Sequence, residues 1–274
     1  MKIHSIADVL VVPFVIAVVY MGYQAYNQPN YPYLIWILVP IVGFILIYLF
    51  KPQMDFYWHK KFPLELDSKL KEIIEKYNPY YKSLDLDGKS EFENRLALYM
   101  EARAFKGVGS EQKDVPYDIK GILSAIPVQM TMHKKNFLIG DMDRIFLYKH
   151  PFPSPRFPFL HNVETHVEDG VIILSLEAFH LALNHVTGYY NVAWHAYIEA
   201  YLKVYKDNTD QIDEYANWET IELVSSFSEK NILDVTLLKA IDPLIVVCVL
   251  YFTHREKMES NASQVYEAMQ KFFS

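Results

Sequence analysis

His195 and Glu199 stand four residues apart between Gly188 and Leu202, a stretch without proline whose bulky apolar residues recur at helical spacing. The spacing predicts a helix bracketed by Gly188 before it and Asp207-Asn208 after it. On such a helix the two side chains leave one face as neighbours, with Cβ atoms roughly 5–6 Å apart. Zinc peptidases use this geometry as His-Glu-x-x-His: two histidines hold the metal and the intervening glutamate activates its water. Here the frame is His195-Ala196-Tyr197-Ile198-Glu199. One histidine ligand is present, the general-base position is Ala196, and the second ligand position carries a carboxylate. Such i,i+4 polar pairs are also routine on helix surfaces, so the pair by itself does not make a metal site.

Further ligands, if His195 and Glu199 belong to a rebuilt metal site, would come from His161, His166, His180, His185 or Asp242. His161 and His166 are five apart, as are His180 and His185, which is not the i,i+4 spacing of a helical clamp. Singly, these histidines read as loop or surface residues, as do His133 and His150. The lone Cys248, within the apolar run Leu244 to Leu250, excludes disulfides and a Cys-x-x-Cys pair within one chain and reads as a core residue. No Gly-x-Ser-x-Gly elbow is present, and Gly107-Val108-Gly109 lacks the rest of a phosphate loop.

These residues belong to a chain of 274 residues, 51% hydrophobic and 15% aromatic, with a formal net charge of −7. Residues 1–50 hold a single Lys and a single Asp, so the remainder carries the whole negative balance, which excludes a nucleic-acid binder relying on a basic surface. The tyrosines around the central stretch, Tyr189, Tyr190, Tyr197, Tyr201 and Tyr205, read as core and cleft lining. Aromatic enrichment also suits recognition of a protein or peptide.

Two apolar runs, residues 6–26 and 33–50, each approach the ~20 residues that cross a hydrocarbon core. A cleaved signal peptide would supply only one, so residues 1–50 are expected to form a transmembrane helical hairpin closed by the short turn Asn27 to Pro32. Two buried helices of a globular core are the alternative, kept open by Asp8. Lys2 precedes the first run and Lys51, Lys60 and Lys61 follow the second, which predicts a multi-pass protein of the cell (inner) membrane with its soluble part in the cytoplasm. Residues 51–77 read as a juxtamembrane connector with an amphipathic helix, and residues 78–274 as one α+β domain.

Within that domain a helix carries Phe92, Leu96, Tyr99, Met100 and Phe105 and stops at Lys106-Gly107-Val108-Gly109. Another covers 115–132. Ile145 to Tyr148 and Val171 to Leu174 read as strands, separated by the proline-rich segment Pro151 to Pro158. A helix starts at Ser175, Asn208 to Glu222 reads as a solvated loop, and helices around Leu244 to Phe252 and through Val265, Met269 and Phe272 close the chain.

From about residue 78 to 273 the chain resembles the MtfA-like, glucose-regulated metallopeptidase family. The likeness is carried by Tyr80-Tyr81 with Leu84, Phe92 and Arg95; by Phe105 and Gly107; and by Ala125, Gln129 and Thr131. It continues through Tyr148, Pro151 and Phe152, then Gly170, Val171, Ile172 and Ser175, then Gly188, Asn191, Val192 and His195. It ends in Val247-Cys248-Val249 with Tyr251-Phe252. The resemblance implies a zincin-like fold and a zinc held by both histidines of His-Glu-Phe-Ala-His and a later glutamate. Carried onto this chain, the first histidine falls on His195, the base on Ala196, the second histidine on Glu199 and a following aspartate on Leu202. The later ligand falls near Pro243 or Leu244, where no acid occurs between Asp242 and Glu256. A scaffold so altered implies a pseudopeptidase without zinc that binds a protein or peptide; the alternative is an active zinc peptidase rebuilt around His195 and Glu199.

Overall fold

The computed structural model describes residues 5–28, 32–109, 114–184, 188–206 and 212–274 and divides the chain into two compact units, Met1–Glu65 and Leu66–Ser274. In the first unit, α1 (Ile6–Asn27) and α3 (Leu38–Lys61), with the single turn α2 (Tyr33–Trp36) before α3, form a hairpin. Both long helices have the length and apolar composition to cross a membrane. Their apolar residues face outward: Val12, Ile16 and Val19 of α1 are 52%, 63% and 67% exposed, whereas a soluble core helix would bury them.

At the hairpin's open end the Asp55 carboxylate accepts hydrogen bonds from Ser5 Oγ at 2.8 Å and the Ala7 amide at 3.1 Å. Lys51 pairs with Asp8, giving the charge within the first apolar run a partner. Gly43 lets the helices touch, since a Cβ there would lie 2.2 Å from the Phe14 ring. The second helix does not stop at residue 50 but continues to Lys61. Loss of apolar character at Lys51 does not break a backbone; Pro63, just after the Phe62 C-cap, does.

In the second unit, α4 (Ser68–Tyr77), α5 (Pro79–Ser83) and α6 (Leu86–Ala102) lead into a four-stranded sheet of order β1-β2-β4-β3. Strands β1 (Ala104–Val108), β2 (Arg144–Tyr148) and β4 (Val171–Ser175) are parallel, and β3 (Val163–His166) lies antiparallel at the edge. After β1 comes α7 (Tyr117–Met130), and β4 runs directly into α8 (Leu176–Asn184), whose first turn is held by Ser175 Oγ accepting from the Ala178 amide at 3.4 Å. The central helix α9 (Val192–Val204) packs on β3, β4 and α7. Then follow α10 (Trp218–Val224), α11 (Glu229–Thr236), α12 (Pro243–Thr253), α13 (Arg255–Asn261) and α14 (Ser263–Phe273). The unit is mixed α+β and mostly helical.

Several elements differ from the sequence expectation. Phe105 is not on a helix: the chain becomes extended at Arg103, and Ala104–Val108 pairs with β2 where a helix stop was expected. Strand β3 has no apolar alternation to announce it, because Glu164 and His166 occupy it. Residues 212–222 are not a solvated loop. Ile212 and Ile221 are completely buried, and Asn217 caps α10 by accepting from the Thr220 amide at 2.8 Å; the segment 208–211 lies outside the described residues. On α14 the buried stripe is Val265, Tyr266, Met269 and Phe273, with Phe272 only half-buried. Helix α12 is buried on every side from Leu244 to Tyr251, as its uniformly apolar sequence requires.

Candidate functional site: the His195 helix and a helical cavity

Asn191 starts α9 by accepting from the Ala193 and Trp194 amides at 3.0 and 3.2 Å, which puts His195 in the first helical turns. Every residue from Val192 to Ile198 is buried, and His195 is 2% exposed. Its Nδ1 lies 2.8 Å from the Tyr190 hydroxyl. Burial raises the Tyr190 pKa well above the ordinary value, so the phenol keeps its proton. With no other hydrogen-bond partner among the described residues, that buried O–H donates to Nδ1, which makes Nδ1 an acceptor and leaves the imidazole proton on Nε2. Burial also lowers the His195 pKa below its usual value, against the opposing pull of Glu199 and Asp242, so the ring is neutral near pH 7.

Glu199 lies one turn further along, and its carboxylate is engaged: Oε1 accepts from Lys203 Nζ at 2.6 Å. Ala196 is fully buried and offers no base. Asp242 caps α12, accepting from the Leu244 amide at 2.9 Å. Cys248 is fully buried, 3.8 Å from the Met269 sulfur, and burial pushes its pKa far up, so it is a core thiol. His133, His150 and His180 are exposed, His150 pairing with Glu177 at 2.7 Å; His185 lies outside the described residues.

His161 is not a loop or surface histidine. It is completely buried, with Nδ1 3.0 Å from the Phe159 carbonyl and Nε2 3.1 Å from Glu164 Oε2, and Phe152 packs edge-on against it at 4.4 Å. The other Glu164 oxygen lies 2.8 Å from Nε2 of His166, a quarter exposed, at ion-pair distance but without hydrogen-bond geometry, so one buried carboxylate sits between two histidines. A buried carboxylate requires such partners. Glu164, which stands between the two histidines in sequence, is the residue that brings them together.

Among the described residues no three His, Cys, Asp or Glu side chains gather as a metal-holding group. The donor chemistry around His195 does not fit a catalytic zinc, which takes three protein ligands. Nδ1 accepts a hydrogen bond from the Tyr190 hydroxyl, Glu199 is paired with Lys203, and among the described residues no third ligand gathers with them. The Glu199–Lys203 pair was legible as an i,i+4 spacing; the Tyr190 contact was not, because it spans the turn before the helix cap.

A cavity of about 650 Å³ opens on the neighbouring helices, and His195 does not line it. Its buried wall includes Ile122, Ile126, Met130 and Phe179, with Trp194 stacked on Phe252 at 4.8 Å. Arg255, Glu256, Lys257 and His133 stand exposed around it. Tyr190, Tyr197 and Tyr201 belong to the core rather than to this lining. No protein-family model matches the chain, and no curated protein matches it.

Proposed function

We propose that this chain is a membrane-anchored protein built on an MtfA-like, zincin-type scaffold that binds a protein or peptide partner without cutting it. The observation that carries this reading is the Tyr190 hydroxyl on His195 Nδ1, which ties the one retained ligand of the family motif into the core. Ala196 at the base position and the Glu199–Lys203 ion pair point the same way. Support for a partner comes from the exposed segment 153–160. It is held in shape by paired backbone hydrogen bonds between Phe152 and His161, both 3.0 Å, and by the Ser154 amide donating to the Phe157 carbonyl at 2.9 Å. A segment ordered before binding loses less entropy on docking.

The hairpin anchors the protein in the inner membrane, and the lysines at Lys2, Lys51, Lys60 and Lys61 orient both ends and the second unit toward the cytoplasm. Two experiments test the reading. The full chain should stay in the membrane fraction after an alkaline wash, and release into the supernatant would remove the anchor. Purified in detergent, it should leave an unfolded protein substrate intact with or without zinc. Chelator-sensitive cleavage lost in Glu199→Ala would show an active peptidase instead.

A further inference from the structure

The wall of the 650 Å³ cavity comes from helices and the segments joining them, and among the described residues no strand contributes to it. An extended peptide therefore has no free sheet edge to pair with there. Inside, the polar groups serve one another: Asn78 Nδ2 donates to Gln129 Oε1 at 3.1 Å, and His254 Nδ1 sits 2.9 Å from the Thr253 hydroxyl. The buried wall is otherwise mostly aliphatic and aromatic, with Ile122, Ile126, Met130, Phe179 and Trp194, while Ser83, Gln270 and Ser274 add exposed polar residues to the lining. Such walls reward apolar volume and offer little to a sugar or nucleobase.

The rim has the opposite character. Arg255 lies on Tyr266, whose hydroxyl accepts from Nε at 2.9 Å and Nη2 at 2.7 Å, and no carboxylate among the described residues is within ion-pair distance of it. The Lys257 side chain has neither a hydrogen bond nor an ion pair among those residues. Among the described lining residues Glu256 is the one acidic side chain, beside Arg255 and Lys257, while Glu259 acts on Arg255 from the next turn of its helix. An apolar chamber of this volume with a cationic rim matches an amphiphile bearing one negative charge.

We propose that this cavity binds a long-chain carboxylate, its acyl chain against Trp194, Phe252 and Ile126 and its carboxylate between Arg255 and Lys257. This goes beyond partner binding and does not rest on it, since an active peptidase could carry the same cavity.

The test uses the full chain in lipid nanodiscs with a photoactivatable palmitic acid, the label being mapped by peptide mass spectrometry. Label is expected on residues 122–130, 194 and 251–257, displaced by palmitate and not by the uncharged alcohol of the same length. Lys257→Gln, which breaks no contact among the described residues, should weaken cavity labelling about threefold, and its combination with Arg255→Gln about tenfold. Background label on α1 and α3 should be unchanged in both variants. Label confined to residues 6–61, cavity label that ignores both substitutions, or equal displacement by the alcohol or by an acidic peptide would overturn the proposal.

Discussion

The Tyr190 hydroxyl and His195 Nδ1 lie 2.8 Å apart, one before the N-cap of the central helix and one just inside it, both fully buried. The contact fixes a neutral imidazole, and burial holds the His195 pKa below its ordinary value of 6.5. An unfolded chain therefore takes up a proton near pH 6.5 that the folded chain refuses. The stability contributed is full above that pH and falls as the pH drops from about 6.5 toward the lowered folded value. Thermal unfolding at pH 7.5 and 5.5 should show a smaller loss on acidification for His195→Gln than for the parent chain. Equal losses would mean that His195 titrates normally in the fold.

Glu164 makes a separate prediction. Its buried carboxylate meets His161 at 3.1 Å and His166 at 2.8 Å. Glu164→Ala removes both contacts and leaves a completely buried His161 without its partner at Nε2. The expected loss is roughly 2–4 kcal/mol in denaturant unfolding. Glu164→Gln keeps the volume and one acceptor and should lose less. Loss below about 0.5 kcal/mol for the alanine variant would mean the pair contributes nothing net.

Gly170 turns the chain from β3 into β4 at φ +64°, and a Cβ there would lie 2.2 Å from the Asp141 carbonyl oxygen. Two penalties, left-handed backbone and a clash with main chain, fall on any substitution. Gly170→Ala should lower stability by more than about 1 kcal/mol. Gly109→Ala, at φ +70° but in open space, should lower it less. Equal effects at the two sites would remove the clash from the account.

The legible parts of the fold were those in which one physical signal dominated. Two long apolar runs, an all-apolar α12 and the proline-rich break between β2 and β3 follow from composition and backbone chemistry alone. Strands β1 and β3 were hidden because Gly107, Glu164 and His166 sit where strand alternation would put apolar residues, and β1 has no fully buried face. Their pairing comes from neighbours remote in sequence, which local pattern does not carry. At the candidate site, the His195 and Glu199 spacing was visible, yet what each side chain does depends on Tyr190 and Lys203. The cavity was not legible at all, since its wall draws on residues from Ile74 to Ser274.

The most direct test is the zinc content of the purified full chain after exposure to zinc and extensive dialysis, read beside His195→Ala. With Nδ1 held by Tyr190 and Glu199 held by Lys203, both proteins should retain the same small fraction of an equivalent. Near-stoichiometric zinc in the parent chain, lost in His195→Ala, would contradict the account and return the central helix to metal chemistry.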